Sequence, residues 1–110
     1  MKLQLIVRRL CMYVVVSKFR VANNMSQEVL SAFQNRPHKV DDEEGFIRME
    51  VMRPVGVPEE FWLITHWNNK ESWGNWYHSH SYKGSHKGIP AGLKLDPSQT
   101  EISHFELVAT

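Results

Sequence analysis

Residues 13–20, YVVVSKFR, are rich in β-branched and aromatic types and predict a first strand. Its period of two puts Ser17 and Phe19 on one face and Lys18 and Arg20 on the other. Asn23-Asn24 break the pattern, and Asn24 with Gln27 three positions on fits a capping box. Met25, Val29, Leu30 and Phe33 then recur at near-helical spacing, which predicts an amphipathic helix over 25–35, ended by Pro37. The acidic run Asp41–Glu44 with Gly45 reads as a solvated turn. In FIRMEVMR, residues 46–53, Ile47, Met49 and Val51 alternate with Arg48 and Glu50, a strand with one polar face. Pro54, Gly56 and Pro58 mark a short connection into FWLITHW, residues 61–67, so these two strands form an antiparallel hairpin. Asn68 or Asn69 caps a second helix over roughly 70–78, with Trp73, Trp76 and Tyr77 on one face. Residues 79–99 hold a short helix around 81–87 and a loop, and EISHFELV, residues 101–108, is the last strand.

The order strand, helix, strand, strand, helix, strand is that of the ferredoxin-like fold, an α+β class. It predicts an antiparallel sheet with two helices on one face. The other face is left open, and a second copy of the chain would cover it, giving a dimeric α+β barrel. The 110 residues suffice for one domain. The domain is expected over 12–110, with residues 1–11 as an N-terminal extension. In that extension Lys2 and the apolar Leu3, Leu5, Ile6 and Val7 look like the start of a signal peptide, but Arg8-Arg9 cut the run short.

Composition narrows the function only by exclusion. A net charge of +1 gives no electrostatic case for nucleic acid. No apolar run approaches a membrane span. The single cysteine, Cys11, excludes an internal disulfide and is compatible with a reducing, cytoplasmic setting. Four Trp, five Phe and three Tyr exceed what a minimal core of this size needs, so some of them are candidates for a pocket or an interface.

The chemistry is concentrated in 67–86, WNNKESWGNWYHSHSYKGSH. Aromatics at helical spacing pack a core or line a pocket, and the pattern alone does not choose. His78 and His80 lack a third ligand at a zinc-like spacing. Gly84 and Gly88 have no phosphate-loop context, and no nucleophile elbow is visible. His66 and His104 read as surface or hydrogen-bonded residues.

The strand ending in THW, the helix SWGNW and the following YKGSHK resemble the corresponding parts of antibiotic biosynthesis monooxygenase (ABM) domains, and within them the heme-degrading monooxygenases. The resemblance spans Met12 to Val108. It implies a homodimer that binds heme as both cofactor and substrate and opens the porphyrin ring with O2 and electrons from an external donor. It also implies that His86 is the axial iron ligand and that Trp76 presses on the heme plane. The family's Asn on the first strand falls here on Ser17, which is shorter and carries no amide N–H. Lys83 and Lys87 stand close to His86 in sequence and could pair with propionates, or they form a solvated loop face. Two other readings share the same residues. One is a cofactor-independent monooxygenase that converts polycyclic phenols or anthrones to quinones; the other is a non-enzymatic dimer that holds a small ligand.

Overall fold

A computed structural model of the protein describes residues 12–79 and 89–110. The elements are β1 (Tyr13–Arg20), α1 (Ser26–Gln34), β2 (Phe46–Met52), β3 (Glu60–Trp67), α2 (Lys70–Tyr77) and β4 (Glu101–Glu106). The strands form one antiparallel sheet in the order β2-β3-β1-β4, the ferredoxin-like arrangement the element order predicts. The short helix predicted around 81–87 lies outside the described residues.

β1 is central, and its register sorts every side chain. Val15 pairs with Thr65 and His104, and Ser17 pairs with Leu63 and Ile102. These positions share the helix-covered face. Val14 pairs with His66 and Phe105, and Val16 with Ile64 and Ser103, on the opposite face. No helix covers that second face among the described residues. Trp62, Phe105 and Met52 on it remain 36%, 51% and 52% exposed.

The core sits under α1. Phe61 is fully buried, and Phe19 and Phe33 meet it at ring-centroid distances of 5.6 and 5.8 Å. Val21 and Val29 close the cluster. At the same end of the sheet Glu60 accepts from Arg20 (Nη2–Oε1 2.7 Å) and from the Trp62 indole N–H (2.8 Å). The Trp62 bond first, and Arg20 with it, hold the Glu60 carboxyl below its ordinary range. At the opposite end of β3, Trp67 is fully buried, with Phe46 edge-on at 5.4 Å and Trp76 at 5.5 Å.

Four local expectations are corrected. The helix N-cap is Met25 with no side-chain cap bond, not Asn24. A turn from Met25 N–H to Asn23 C=O (2.8 Å) starts the helix one residue later, so Gln27 arrives a position too early to close a capping box. The helix also stops at Gln34, with Asn35 as its C-cap; the Asn35 backbone N–H makes the last α-helical bond to the Ser31 carbonyl, and its side-chain amide donates to the same oxygen. In β2 the register slips between Phe46 and Arg48. That bulge turns Phe46 inward onto Trp67 and leaves Ile47, expected on the apolar face, 37% exposed. Finally, the acidic run is not only a solvated turn. Lys39–Asp42 form a 3₁₀ turn that buries Val40, and Asp41 binds both Arg36 and His38.

Gly45 stands in the following turn, where Phe46 N–H donates to the Glu43 carbonyl at 3.1 Å, and its φ of +81° is a left-handed conformation that favours glycine. A Cβ there would run into the Ser72 side chain. Its carbonyl accepts from Asn68 N–H at 2.8 Å, which fixes the start of α2 against the β2 end. Asn69, one of the two predicted caps, accepts from Ser72 N–H at 2.8 Å. No helix among the described residues is long and apolar enough to cross a membrane.

Candidate active site

Between the sheet and the two helices lies a cavity of about 350 Å3, within the range of small-molecule sites. Its floor is the helix-covered sheet face: Val15, Ser17 and Phe19 of β1, Met49 of β2, Leu63 and Thr65 of β3, and Ile102 of β4. Thr65 is buried and its hydroxyl lies 3.4 Å from the Val15 carbonyl, so it offers the cavity mainly its methyl group. One wall is α1, through Val29, Ala32 and Phe33. The other is α2, through Trp73, Trp76 and Tyr77. The predicted aromatic face of α2 therefore looks into a cavity and does not seal a core.

Two of the residues singled out in the sequence meet here. Ser17 and Trp76 line the same cavity from opposite layers, Ser17 from the floor and Trp76 from the wall. The β1 register puts Ser17 at the middle of the sheet. Trp76 rests against Trp67, which is locked by burial, so its ring is backed by a rigid partner. His86, Lys83 and Lys87 lie outside the described residues, as does His80. Among the described residues no cluster of three or more His, Cys, Asp or Glu could hold a metal ion.

The cavity also gathers residues that sequence reasoning passed over. Arg36, His38 and Lys39 reach its lining from the segment after α1. Asp41 draws two of them together, with Arg36 Nη1 at 3.1 Å from Oδ1 and His38 Nδ1 at 3.3 Å from Oδ2. Burial pushes the Asp41 carboxyl up, but Arg36 and His38 outweigh it and leave the group below its ordinary value. His38 stands at φ +59°, a turn conformation uncommon for a residue with a side chain. The visible signal was the basic string Arg36, His38, Lys39 directly after an amphipathic helix. The reading of His104 as a hydrogen-bonded residue is borne out, with Nδ1 2.6 Å from the Tyr13 hydroxyl, and His66 is partly buried with Nε2 2.9 Å from the Glu50 carboxylate.

A cavity with a mainly apolar lining and Arg36, His38 and Lys39 among its residues suits an apolar molecule that carries anionic groups. The fold and this cavity define a ferredoxin-like domain with an internal pocket between its sheet and helices. Residues 12–88 match the family model described as antibiotic biosynthesis monooxygenase, ABM. The chain belongs to that family and is a monooxygenase, as its THW, SWGNW and YKGSHK segments predict. It is 28% identical over 97 residues to the heme oxygenase (mycobilin-producing) of Mycobacterium tuberculosis, covering 86% of this chain and 88% of the relative. Among solved structures it resembles the heme-degrader MhuD of Mycobacterium tuberculosis with two hemes bound in its active site, at a TM-score of 0.72 and 24% identity, over 89% of this chain and 97% of that one. It also resembles SnoaB, a cofactor-independent oxygenase from Streptomyces nogalater, at a TM-score of 0.71 and 16% identity, over 90% and 95% of the two chains. At those identities the two structures speak for the fold.

Proposed function

We propose that this monooxygenase degrades heme, taking it as cofactor and substrate together, with electrons from an external donor. The observation that carries the reading is the slot itself: indole and aliphatic walls, with Arg36, His38 and Lys39 at its lining. That donor set fits a porphyrin, whose body is flat and apolar and whose propionates are anionic. Bound heme would supply the iron that activates O2. The chain's own residues would do the positioning. Trp76, backed by Trp67, would press on one face of the porphyrin. Ser17 would stand at the middle of the sheet floor, where a hydroxyl can donate one hydrogen bond. Arg36 would meet a propionate, with Lys83 and Lys87 as further candidates. His86 would be the axial ligand, since a neutral imidazole binds iron well.

The test is an anaerobic titration of the purified protein with heme, followed by reductant and air. A Soret shift that saturates, then decays on aeration, is expected. His86→Ala should abolish the ferric shift, while His78→Ala and His80→Ala leave it nearly intact; equal loss from all three would reassign the ligand. A protein that binds no heme would favour cofactor-free oxidation of a polycyclic phenol. The absence of an amide at Ser17 is what supports that second reading.

The working unit in this proposal is a homodimer. The uncovered sheet face presents Val14, Val16 and Ile64 with the more exposed Trp62 and Phe105, an apolar surface a second copy could bury. Light scattering at micromolar concentration should give twice the mass of one chain, and a monomer mass would count against it.

A further inference from the structure

Trp73, on the cavity wall, is also the centre of an aromatic group that leads away from the cavity. Tyr77 stacks on it at 4.9 Å with the planes 19° apart. The His104 ring meets it edge-on at 4.8 Å, and the Tyr13 ring is 6.4 Å away. Tyr13 and His104 come from β1 and β4, diagonal neighbours on the helix-covered face, because Val15 pairs with His104 and Tyr13 with Glu106. The Tyr13 hydroxyl lies 2.6 Å from His104 Nδ1. With the His104 proton on Nε2, the phenol donates this bond. His104 is an exposed residue, so the pair ends at the protein surface. A phenol bonded to an imidazole in water adds little to stability. Three elements nonetheless converge on it.

A phenol is hard to oxidise while it keeps its proton, since the cation radical is a strong acid. A hydrogen-bonded base removes that obstacle by taking the proton as the electron leaves. We propose that Trp73, Tyr13 and His104 form a redox relay that carries one oxidising equivalent from the cavity to the surface. The proposal rests on the reading that O2 is reduced in this cavity. One electron passes from the Tyr13 phenol through the Trp73 indole to a one-electron oxidant derived from O2 in the cavity. The phenolic proton crosses to His104 Nδ1. The products are the reduced oxidant, the Tyr13 phenoxyl radical and the His104 imidazolium. A small reductant of the ascorbate or thiol class returns one electron at the surface, His104 returns the proton, and the phenol is restored. An oxidant that misses its substrate is thereby drained before it modifies the indoles of the wall.

Two experiments test this, and only the second needs heme. In the first, the protein alone is oxidised with flash-generated tris(bipyridine)ruthenium(III) and frozen for electron paramagnetic resonance. A neutral tyrosyl signal is expected in the unmutated protein and in Tyr77→Phe, lower by several-fold in Tyr13→Phe, and slower to form in His104→Phe. A signal of equal size in Tyr13→Phe would overturn the relay. In the second, the heme-loaded protein is treated with hydrogen peroxide and the Trp73 peptide is weighed by mass spectrometry. Oxygen addition to Trp73 should rise several-fold in Tyr13→Phe, and an unchanged level would disconnect Tyr13 from the cavity and overturn the proposal. If the unmutated protein takes up no heme, the heme reading fails, and the tyrosyl signal of the first experiment decides the relay by itself.

Discussion

The helices α1 and α2 lie over the same face of the same sheet and do opposite things with their aromatic side chains. Under α1, Phe33 locks onto Phe19 and Phe61, and Phe61 is wholly removed from water. On α2, Trp73, Trp76 and Tyr77 are only partly buried, and all three line the cavity. Both helices show apolar side chains at helical spacing. The stripe of α1 both closes a core and walls the cavity, whereas the three rings of α2 line the cavity and none of them joins the Phe61 cluster. The amount of apolar surface does not separate them, since the indoles of α2 are the larger rings. What differs is whether the opposing layer fills the gap. Phe61 and Phe19 rise to meet α1, whereas Ser17 and Thr65 are too small to fill the cavity under α2.

The sharpest way to break this comparison is to truncate one ring on each side. Phe61→Ala should cost about 3–5 kcal/mol of stability, the usual cost of removing a buried aromatic side chain. Trp73→Ala should cost clearly less, because its ring faces a cavity that already exists. Denaturant unfolding of both variants gives the two numbers, and equal losses would mean that α2 is core after all.

Filling the small position on the floor sharpens the comparison from the other side. Ser17→Asn supplies an amide donor where the chain has a hydroxyl. A hydrogen bond to a charged group is worth about 1.5–3 kcal/mol, or roughly a ten- to hundredfold change in rate. Soret decay under ascorbate and air should speed up by that factor in the variant. A wild-type rate equal to or above that of Ser17→Asn would mean that Ser17, or a water it holds, already does this work.

The smallest effect belongs to Glu60, which ties β1 to β3 beneath the α1 core. Its folded carboxyl is held below the usual range by Trp62 and Arg20. The folded state therefore binds the proton less readily than the unfolded chain. The stabilisation is present above the unfolded value, near pH 4.3, and is lost as pH falls through the lower folded value. The thermal midpoint of the wild type should exceed that of Glu60→Gln at neutral pH, and the gap should narrow once the pH falls below the unfolded value and close below the folded one. A gap that widens in acid would reverse the sign of the argument.

Much of the fold was legible because it rests on period. The alternation in β1 and β3 and the helical spacing at Val29 and Phe33 each follow from one face being buried, and a buried face leaves its mark on neighbouring residues. Trp73, Trp76 and Tyr77 were legible as one face for the same reason. The bulge that redirects Phe46 was not, since FIRM alternates acceptably in either register and only pairing with Trp67 selects one. The rim of Arg36 and His38 was hidden for a related reason. Its organising residue, Asp41, sits in an acidic run that has the composition of an ordinary solvated turn.

The order of elements, the antiparallel sheet and the family to which the chain belongs are each written in local spacing or in a contiguous motif. Packing settled which aromatic stripe would also close a core and which would serve as cavity wall alone. That choice depends on the side chains of another layer, dozens of residues away, and on the register that sets Ser17 opposite Leu63 and Ile102. It likewise decided that Tyr13 and His104, 91 positions apart, would share one hydrogen bond. A contact between sequence-distant residues is fixed by strand pairing, and no local pattern records it.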